Sequence, residues 1–553
     1  MGGSAGKAAE ALCIQGFELH KRGQLSEAAE HYQRVLDIAP DHFEALYLFG
    51  LISVDRGQPE RGVLLLGRAI ELKPDLAAPH AVLGKALHVL GRPAEAIISY
   101  DKAIALQPNF ADVYNNRGMS LQALGHNEEA LASFQHAVTL NPHFAAAQNN
   151  LGSILRRLKR PLDALSSYDR AIKLNPRDAL AHCNRGFILR ELDLPDDAIL
   201  SFDRAISLNP NLAEAYNDRG LALHALGRNE EALIDYRRAI ALRPNFTDAL
   251  VNRSLHYLLL GQFEAGWADY ELRHIKRATT DTNRLWLGKG DLDGQTLFVP
   301  CEQGLGDTIQ FCRYVNLLLA RNISVILSAP LVLVELMRQS NTKWIIIGDH
   351  EAPPVFDYYC PLMSLPFACG TTLESIPSAH QYLFADDRRR SSFERLLGPK
   401  INPRIGVAWS GNAMHTNDRN RSIAFQQISP ILTQDVDWIC LQKEVRPDDA
   451  AGMREHGGVR FLGDRLADFN DTAALLDLMD LVITVDTSIA HLAGAMGKPV
   501  WILLPFAPDW RWMLDRGDSP WYSSARLFRQ STRGNWASVI EVVKAELQSS
   551  LLV

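Results

Sequence analysis

The sequence predicts an α-solenoid followed by an α/β region with two lobes, and two observations carry this prediction. A period of 34 residues runs through the first half of the chain and then stops. In the second half, short apolar runs alternate with helical stretches. Units that pack only on their neighbours build a solenoid, whereas alternating strands and helices build parallel sheets covered on both faces. The periodic positions are Pro40, Pro74, Pro108, Pro142, Pro176, Pro210 and Pro244, and Gly16, Gly50, Gly84, Gly118, Gly152, Gly186 and Gly220.

Each repeat has the pattern of two amphipathic helices joined by a turn. In the unit 111–144, apolar residues recur at three and four positions on both sides of Gly125. Gly125 tolerates the positive φ that ends the first helix, and Pro142 closes the second. Small residues recur where the two paired helices approach each other closely. Aromatic residues recur where neighbouring repeats leave space between them. These columns are Ala28, Gly62, Ala96, Ala130, Ala164, Ala198 and Ala232, and Tyr32, Tyr100, Phe134, Tyr168, Phe202, Tyr236 and Tyr270.

One column on the first helix is polar without an evident packing role. Asn116, Asn150, Asn184, Asp218 and Asn252 lie 34 residues apart. Asn offers both a donor and an acceptor, so this ladder could hold the backbone of an extended peptide in the repeat groove. Each net hydrogen bond contributes about 0.5–1.5 kcal/mol, which suits weak holding of a protein substrate. Alternatively, these side chains cap or bridge neighbouring repeats, and the sequence favours neither interpretation.

The end of the repeats and the two lobes follow from changes in this pattern. A last unit from Thr247 keeps Gly261 and Tyr270 but has no closing proline, which is typical of a cap or a junction. We therefore expect repeats over 9–280 and two Rossmann-like lobes, over 285–400 and 401–553, that face a cleft. Predicted strands cover 296–301, 324–328, 344–347, 356–360, 404–409, 438–441, 460–462, 481–485 and 500–504. Predicted helices cover 308–320, 331–339, 469–477, 487–496 and 536–547.

Ligands of parallel sheets bind beyond the carboxyl ends of the strands, and polar segments follow several of the predicted strands. The first contains Gly304, Gly306 and Asp307. Two glycines allow a tight turn in which backbone N–H groups approach a ligand closely. Asp307 begins the following helix, either as its N-cap or as a general base at the cleft.

The next polar segments carry positive charge. A loop over 410–421 contains Arg421, and Lys443 directly follows another strand. Both cations could neutralise a diphosphate, although a solvated basic loop and a surface lysine would give the same pattern. Asp509 and Arg511 follow the strand at 500–504 and could flank a nucleotide.

The last polar segment contains Asp486, Thr487, Ser488 and His491, where a strand ends and a helix begins. The free N–H groups and the positive dipole end of this helix suit an anion. Asp486 could accept hydrogen bonds from ribose hydroxyls. Helix capping would equally explain Asp486 and Ser488, and burial in the core would explain His491.

Two Asp-x-Asp segments imitate a metal-binding motif of transferases. They are Asp291 with Asp293, and Asp435 with Asp437. Each pair precedes a strand rather than following one, so it lies at the wrong edge of the sheet. We interpret both as turns and predict no metal or other cofactor.

Two resemblances rest on these residues. The small, aromatic and proline columns resemble the tetratricopeptide repeat. The early Gly-Leu-Gly-Asp, the basic loop and the run 486–499 resemble glycosyltransferases of the bacterial heptosyltransferase type, over about 294–547. This second resemblance implies a two-lobed GT-B fold, a nucleotide-sugar donor in the second lobe and metal-independent inverting transfer. It also implies that Asp307 is the base, that Arg421 neutralises phosphate, and that Asp486 and 487–491 hold the nucleotide.

With its polar ladder, the chain further resembles the O-linked N-acetylglucosamine transferases, whose repeats guide protein substrates. We therefore expect a glycosyltransferase whose acceptor is a protein or peptide laid along the repeats. Two alternatives stay open. The chain could be a repeat scaffold with a non-catalytic nucleotide-binding domain, or a transferase that acts on a glycan or lipid core.

Composition argues against several other classes. A net charge of −7 disfavours a general nucleic-acid-binding surface. Seven scattered cysteines without a Cys-x-x-Cys pair disfavour zinc or disulfide frameworks. The first residues lack the apolar core of a signal peptide, and no apolar run reaches the roughly 18 residues of a membrane span. We therefore expect a cytoplasmic protein.

Overall fold

The computed structural model describes residues 2–274, 283–377, 379–415 and 417–551. The predicted end of the repeats near residue 280 and residue 416 of the basic loop lie outside the described residues. By internal contacts, the chain divides into two compact units, Met1–Arg219 and Gly220–Val553. The repeat pattern of the sequence instead predicts a boundary at 280–285, after the last repeat.

The repeats are helical throughout, with two helices in each unit. Gly125 adopts a φ of +80° between the two helices of its repeat. The helices are α1 (Gly2–Lys21), α2 (Leu25–Ile38), α3 (Phe43–Asp55), α4 (Pro59–Leu72), α5 (Ala77–Val89), α6 (Pro93–Leu106), α7 (Ala111–Ala123), α8 (Asn127–Leu140), α9 (Ala145–Arg157), α10 (Pro161–Leu174), α11 (Ala179–Glu191), α12 (Pro195–Leu208), α13 (Ala213–Ala225), α14 (Asn229–Leu242), α15 (Thr247–Leu259) and α16 (Phe263–Tyr270).

The glycine and aromatic columns meet inside each repeat. A Cβ atom on Gly152 would lie 2.6 Å from the ring of Tyr168, and one on Gly118 would lie 2.7 Å from Phe134. Both rings are buried, and Ala164 of the small column is fully buried as well. The small and aromatic columns are buried, as packing positions should be. The contact between glycine and ring was not predicted, and only glycine lets the ring lie this close to the first helix.

The first lobe contains a parallel sheet with the strand order β3-β2-β1-β4. Its strands are largely buried, as expected for a parallel sheet. The elements are β1 (Thr296–Val299), α17 (Leu305–Phe311), α18 (Arg313–Leu319), β2 (Ser324–Ala329), α19 (Leu331–Ser340), β3 (Ile345–Gly348), β4 (Tyr358–Tyr359), α20 (Leu365–Ala368) and α21 (Asp387–Leu397).

The second lobe contains a parallel sheet with the order β10-β9-β8-β5-β6-β7. The elements are β5 (Arg404–Ala408), α22 (Asp418–Arg421), α23 (Phe425–Ile428), β6 (Asp437–Cys440), α24 (Pro447–His456), β7 (Val459–Phe461), α25 (Phe469–Asp477), β8 (Leu481–Val485), α26 (Ser488–Ala495), β9 (Val500–Leu504), β10 (Ala525–Arg529) and α27 (Trp536–Leu551). Because β5 pairs with both β6 and β8, the order reverses at β5, and ligand crevices of such sheets lie at this point. The predicted fold class, an α-solenoid followed by two Rossmann-like lobes, is confirmed.

The last repeat packs into the core that the lobes share. Phe263, Trp267 and Tyr270 of α16 are buried in this core. The Trp267 ring lies 5.3 Å from that of Trp510, edge to face, and 6.4 Å from that of Phe311. This aromatic packing explains why the last repeats belong to the same compact unit as the two sheets.

Several element predictions were wrong in detail. The helix predicted at 308–320 begins earlier, at Leu305, and is divided at Cys312 into α17 and α18. Helix α24 was not predicted, because its residues are mostly polar and only Asp449 and Met453 are buried. Strand β10 was missed as well, since the exposed Arg526 interrupts its apolar run.

The glycine column gives a stability prediction. Replacing Gly152 by Ala should destabilise the repeats by about 1–3 kcal/mol, because the methyl group overlaps the buried Tyr168 ring. Urea unfolding followed by circular dichroism measures the change.

Gly67 is the matched control, since it lies inside α4 and a Cβ there meets nothing within 4 Å. Gly67→Ala should stabilise by roughly 0.5–1 kcal/mol, the ordinary helix preference for alanine. Equal effects of the two substitutions would contradict the ring contact.

Candidate active site

The Gly304–Asp307 turn follows β1 and begins α17. Gln303 adopts a left-handed φ of 62°, and Gly304 is the N-cap of the helix. Asp307 is therefore not the N-cap that one interpretation required. It is the third helical residue, and its Oδ2 accepts the N–H of Gly304 at 2.8 Å. This bond stabilises the turn and fixes the direction of the carboxylate.

Asp307 has a second partner from the other lobe. The guanidinium of Arg511 forms an ion pair with Oδ1 of Asp307. Arg511 also donates to Asp509 Oδ1 at 2.8 Å and to Gln310 Oε1 at 2.7 Å. Burial alone would lower the pKa of Arg511, but Asp509 and Asp307 raise it, so this side chain is a permanent cation. Asp509 and Arg511 therefore lie together, next to Asp307.

Asp486 and Thr487 lie where β8 ends and α26 begins. Thr487 is the N-cap, and its Oγ1 accepts the N–H of Ile489 at 3.3 Å. Asp486 is largely buried. Burial and repulsion from Asp509 raise its pKa to about 6, against the opposing charge of Arg421. Ser488, half-buried, is the first residue of the helix.

Arg421 joins this cluster through the backbone. Its Nη1 donates to the carbonyl oxygen of Asp486 at 3.0 Å. The same guanidinium lies against Gly411, where a Cβ would be 2.9 Å from Nη2. The loop is anchored by Arg446, which donates to Asp418 Oδ2 at 2.5 Å and to the carbonyl of Gly411 at 3.1 Å. Arg446 was not singled out in the sequence.

His491 connects α26 to the turn of the first lobe. Its Nδ1 lies 3.0 Å from the hydroxyl of Tyr522, and its ring stacks on Trp512. A Cβ on Gly306 would lie 2.7 Å from the His491 ring, so these two residues are in direct contact. Burial and the cations around it, Arg511 first, hold the pKa of His491 well below its ordinary value. These contacts are those of a packed, neutral histidine.

Lys443 lies apart from these residues. Its side chain is exposed, and its ammonium donates to the carbonyl of Ala467 at 3.3 Å. In the described part of the chain, no hydrogen bond links Lys443 to Asp307, Arg421 or Asp486. The side chain of the preceding residue, Gln442, is bonded to the end of β5, where its Oε1 accepts the N–H of Trp409 at 2.7 Å.

The sequence did not indicate that two further residues, Tyr270 and Arg313, lie next to this site. Tyr270 of α16 accepts a hydrogen bond from the amide of Gln303, which ties the last repeat to the Gly304–Asp307 turn. Arg313 is buried and donates to the carbonyl of Trp521 at 2.6 Å and to the hydroxyl of Tyr382 at 2.9 Å. For Arg313, the one signal in the sequence was a charged residue at the start of the mostly apolar helix α18.

The polar ladder connects neighbouring repeats. Asn150 donates to Asn115 Oδ1 at 2.9 Å, and Asn184 donates to Asn149 Oδ1 at 3.0 Å. Each bond joins consecutive units, as the bridging interpretation requires. Asn116 accepts from its neighbour Asn115 at 3.3 Å, and Asp218 lies 3.6 Å from Arg190. The side chains of the ladder, Asn252 included, are half-buried, so they keep an accessible edge.

The Asp-x-Asp segments form local turns. Asp291 accepts the N–H of Asp293 at 3.1 Å, and Asp437 is the first residue of β6. Among the described residues, no group of three or more His, Cys, Asp or Glu side chains is placed to hold a metal ion. In the same part of the chain, no helix is long and apolar enough to cross a bilayer.

Comparison with known protein families matches the two halves separately. Models described as tetratricopeptide repeats match residues 9–42, 84–125, 115–179, 196–227 and 213–246. A model described as glycosyltransferase family 9 (heptosyltransferase) matches residues 448–504. This match includes Asp486, Thr487, Ser488 and His491.

Individual relatives match the chain in part. Protein FlbA of Caulobacter vibrioides is 27% identical over 290 residues, which are 48% of this chain and 48% of FlbA. The chain thus spans about half the length of this curated relative. YrrB, a TPR protein with an unusual peptide-binding site, is 26% identical with a TM-score of 0.30, over 34% of this chain and 95% of its own. A tetratricopeptide repeat protein from Parabacteroides merdae is 16% identical with a TM-score of 0.38, over 45% and 99%. The resemblance to O-linked N-acetylglucosamine transferases is not confirmed by these findings.

Asp486 gives a prediction about stability and pH. Since its pKa is raised in the folded state, ionised Asp486 destabilises the fold, and this cost grows as pH rises from about 4 to about 6. Asp486→Asn should therefore stabilise the protein at about pH 7.5, on the order of 2 kcal/mol, and much less at about pH 4. Thermal unfolding of both proteins across this range measures the difference.

Asp464→Asn serves as the control, because the Asp464 side chain is exposed. Asp464→Asn should not reproduce the gain in stability at about pH 7.5. If the stability difference between Asp486→Asn and wild type is the same at every pH, or is largest in acid, the ionised Asp486 carboxylate does not destabilise the fold.

Proposed function

We propose that this protein transfers a sugar from a nucleotide-sugar donor to a protein acceptor held by its repeats. The supporting observation is the meeting of α17 with α26. There Asp307, Arg511, Arg421 and Asp486, from four separate segments, share partners within one cluster. The similarity of residues 448–504 to glycosyltransferase family 9 supports a donor site in the second lobe.

The donor side of the cluster suits a diphosphate. Arg421 lies beside the N-terminus of α26, where backbone N–H groups and the helix dipole favour an anion. The dipole contributes only about 0.3–2 kcal/mol per charge, so a leaving diphosphate needs a cation as well. Arg421 supplies one, whereas Lys443, bonded to Ala467, is not part of the proposal.

Asp307 is the proposed base of an inverting, metal-independent displacement. The nucleophilic oxygen or nitrogen of the acceptor bonds to the anomeric carbon while its proton passes to the Asp307 carboxylate. The bond from that carbon to the diphosphate oxygen breaks, and the diphosphate leaves with the electron pair. A base positioned in this way contributes about 10²–10⁴-fold to the rate.

A second candidate function draws on one specific observation. Both Asp307 oxygens are occupied, by Gly304 and by Arg511. A carboxylate held in this way is a poor base, which favours a scaffold whose transferase-like half binds nucleotide without turnover. The two functions predict different results in the same assay.

The first test measures nucleotide release from a panel of nucleotide sugars mixed with the full chain and a cell extract. Wild type should release nucleotide from one donor, and Asp307→Asn should lower the rate by about 10²-fold or more. Asp349→Asn, at an exposed site of the same lobe, should leave the rate unchanged. Equal rates for Asp307→Asn and wild type would exclude Asp307 as the base, and binding without any release would favour the scaffold.

The second test concerns the acceptor. Replacing Asn116, Asn150 and Asn184 together by Ala should reduce sugar transfer to proteins, because about three backbone contacts worth roughly 0.5–1.5 kcal/mol each are lost. Slow donor hydrolysis by water, which needs no acceptor in the repeats, should not change. The triple variant also loses the bonds from Asn150 and Asn184 to neighbouring repeats, and thermal unfolding measures how much this loss destabilises the repeats. Unchanged protein transfer would remove the ladder from the acceptor site.

A further inference from the structure

We propose that a donor diphosphate and Asp307 compete for Arg511, so that diphosphate binding releases Asp307 to act as the base. The proposal rests on the proposed function for the identity of the ligand. It adds Arg511 to the residues that bind the donor, and it makes the base available only when the donor is in place.

Arg511 binds charged and polar groups of both lobes beside the Gly304–Asp307 turn. Its side chain is only 10% exposed. It binds Asp307 and Gln310 of the first lobe and Asp509 of the second. One guanidinium thus serves two carboxylates, and a further anion at this side chain competes with them for its positive charge.

Asp307 is the partner that can be displaced without losing its orientation. Its Oδ1 is bound by Arg511, whereas its Oδ2 accepts the N–H of Gly304 at 2.8 Å. When Arg511 turns to a diphosphate, Oδ1 becomes free while Gly304 still holds Oδ2. The carboxylate then points as before, with one oxygen ready to accept a proton.

Asp509 is harder to displace. It lies two residues before Arg511, and it also accepts the N–H of Arg511 at 3.0 Å. Its carboxylate therefore stays beside the Arg511 guanidinium when the bond from Arg511 to Asp307 is broken. The contact between the lobes is the one that a competing anion breaks.

The surroundings favour a diphosphate as the competitor. A planar guanidinium matches phosphate oxygens with two parallel N–H bonds, and a diphosphate brings more negative charge than one carboxylate. Arg421, beside the N-terminus of α26, supplies the neighbouring cation. The buried Nε2 of Gln310, next to Arg511, has no hydrogen-bond partner among the described residues. A phosphate oxygen at Arg511 would give this donor an acceptor.

The positive charge of Arg511 and Arg421 already acts on three carboxylates, those of Asp307, Asp509 and Asp486. The raised pKa of Asp486 reflects burial and repulsion from Asp509 that Arg421 and Arg511 do not fully offset. Adding a diphosphate without releasing Asp307 would increase this repulsion. Competition is therefore favoured over joint binding.

The test is a binding cycle on the full chain, with UDP, ADP and GDP as probes in titration calorimetry. Asp307→Asn removes the competing charge but keeps an oxygen for the Gly304 N–H. It should bind the preferred diphosphate about 5- to 30-fold more tightly than wild type. Asp349→Asn, the exposed control, should bind like wild type.

Asp307→Asn is then combined with Arg511→Lys, which keeps the positive charge but lacks the planar pair of N–H donors of the guanidinium. Arg511→Lys should bind the diphosphate more weakly than wild type. In this background, Asp307→Asn should raise the affinity by a smaller factor than it does beside Arg511, because lysine lacks the paired N–H donors with which Arg511 holds either anion.

The outcomes separate this proposal from the proposed function. Tighter binding by Asp307→Asn without any sugar transfer by wild type would uphold the competition and defeat the transferase. Sugar transfer by wild type with unchanged or weaker binding by Asp307→Asn would overturn the competition alone. An undiminished gain in the Arg511→Lys background would overturn the competition too. No binding of any probe to any variant would overturn the competition, whereas the transferase stands or falls with the release assay.

Discussion

Helix α17 can approach α26 this closely only because residue 306 is glycine. Any Cβ there would lie 2.7 Å from the buried ring of His491, which is itself fixed by Tyr522 and Trp512. This close approach places Asp307 within reach of Arg511. The site therefore depends on a backbone contact, and the charged groups are arranged around it.

The last repeat is part of the same packed body. Trp267 lies edge to face against Trp510, the residue directly before Arg511. Tyr270 bonds to Gln303, directly before Gly304. Helix α16 thus contacts residues next to both segments that carry the ion pair between Asp307 and Arg511.

Much of the fold could be predicted from the sequence, because local periodicity determines it. The 34-residue columns predicted the repeat helices, and the predicted strand ends indicated which polar segments would lie at one edge of a sheet. Gly304, Gly306, Asp307, Arg421 and Asp486 were all proposed as candidates in this way, since the carboxyl ends of parallel strands meet at one edge.

The pairing of these residues could not be predicted. Arg511 and Asp307 are 204 residues apart, and only the packing of the two lobes decides that they meet. Lys443 follows a strand like the others, yet it turns towards Ala467. In the repeats, Asn150 and its neighbour Asn115 look alike in sequence, and only the structure assigns the bond between units.

The most direct measurement is a crystal structure of the full chain with the nucleoside diphosphate that it binds most tightly. Our account places the phosphates against Arg511, Arg421 and the first turn of α26, with Asp307 still bonded to Gly304 but released from Arg511. A diphosphate bound elsewhere, or one bound here while the ion pair between Asp307 and Arg511 stays intact, would contradict it.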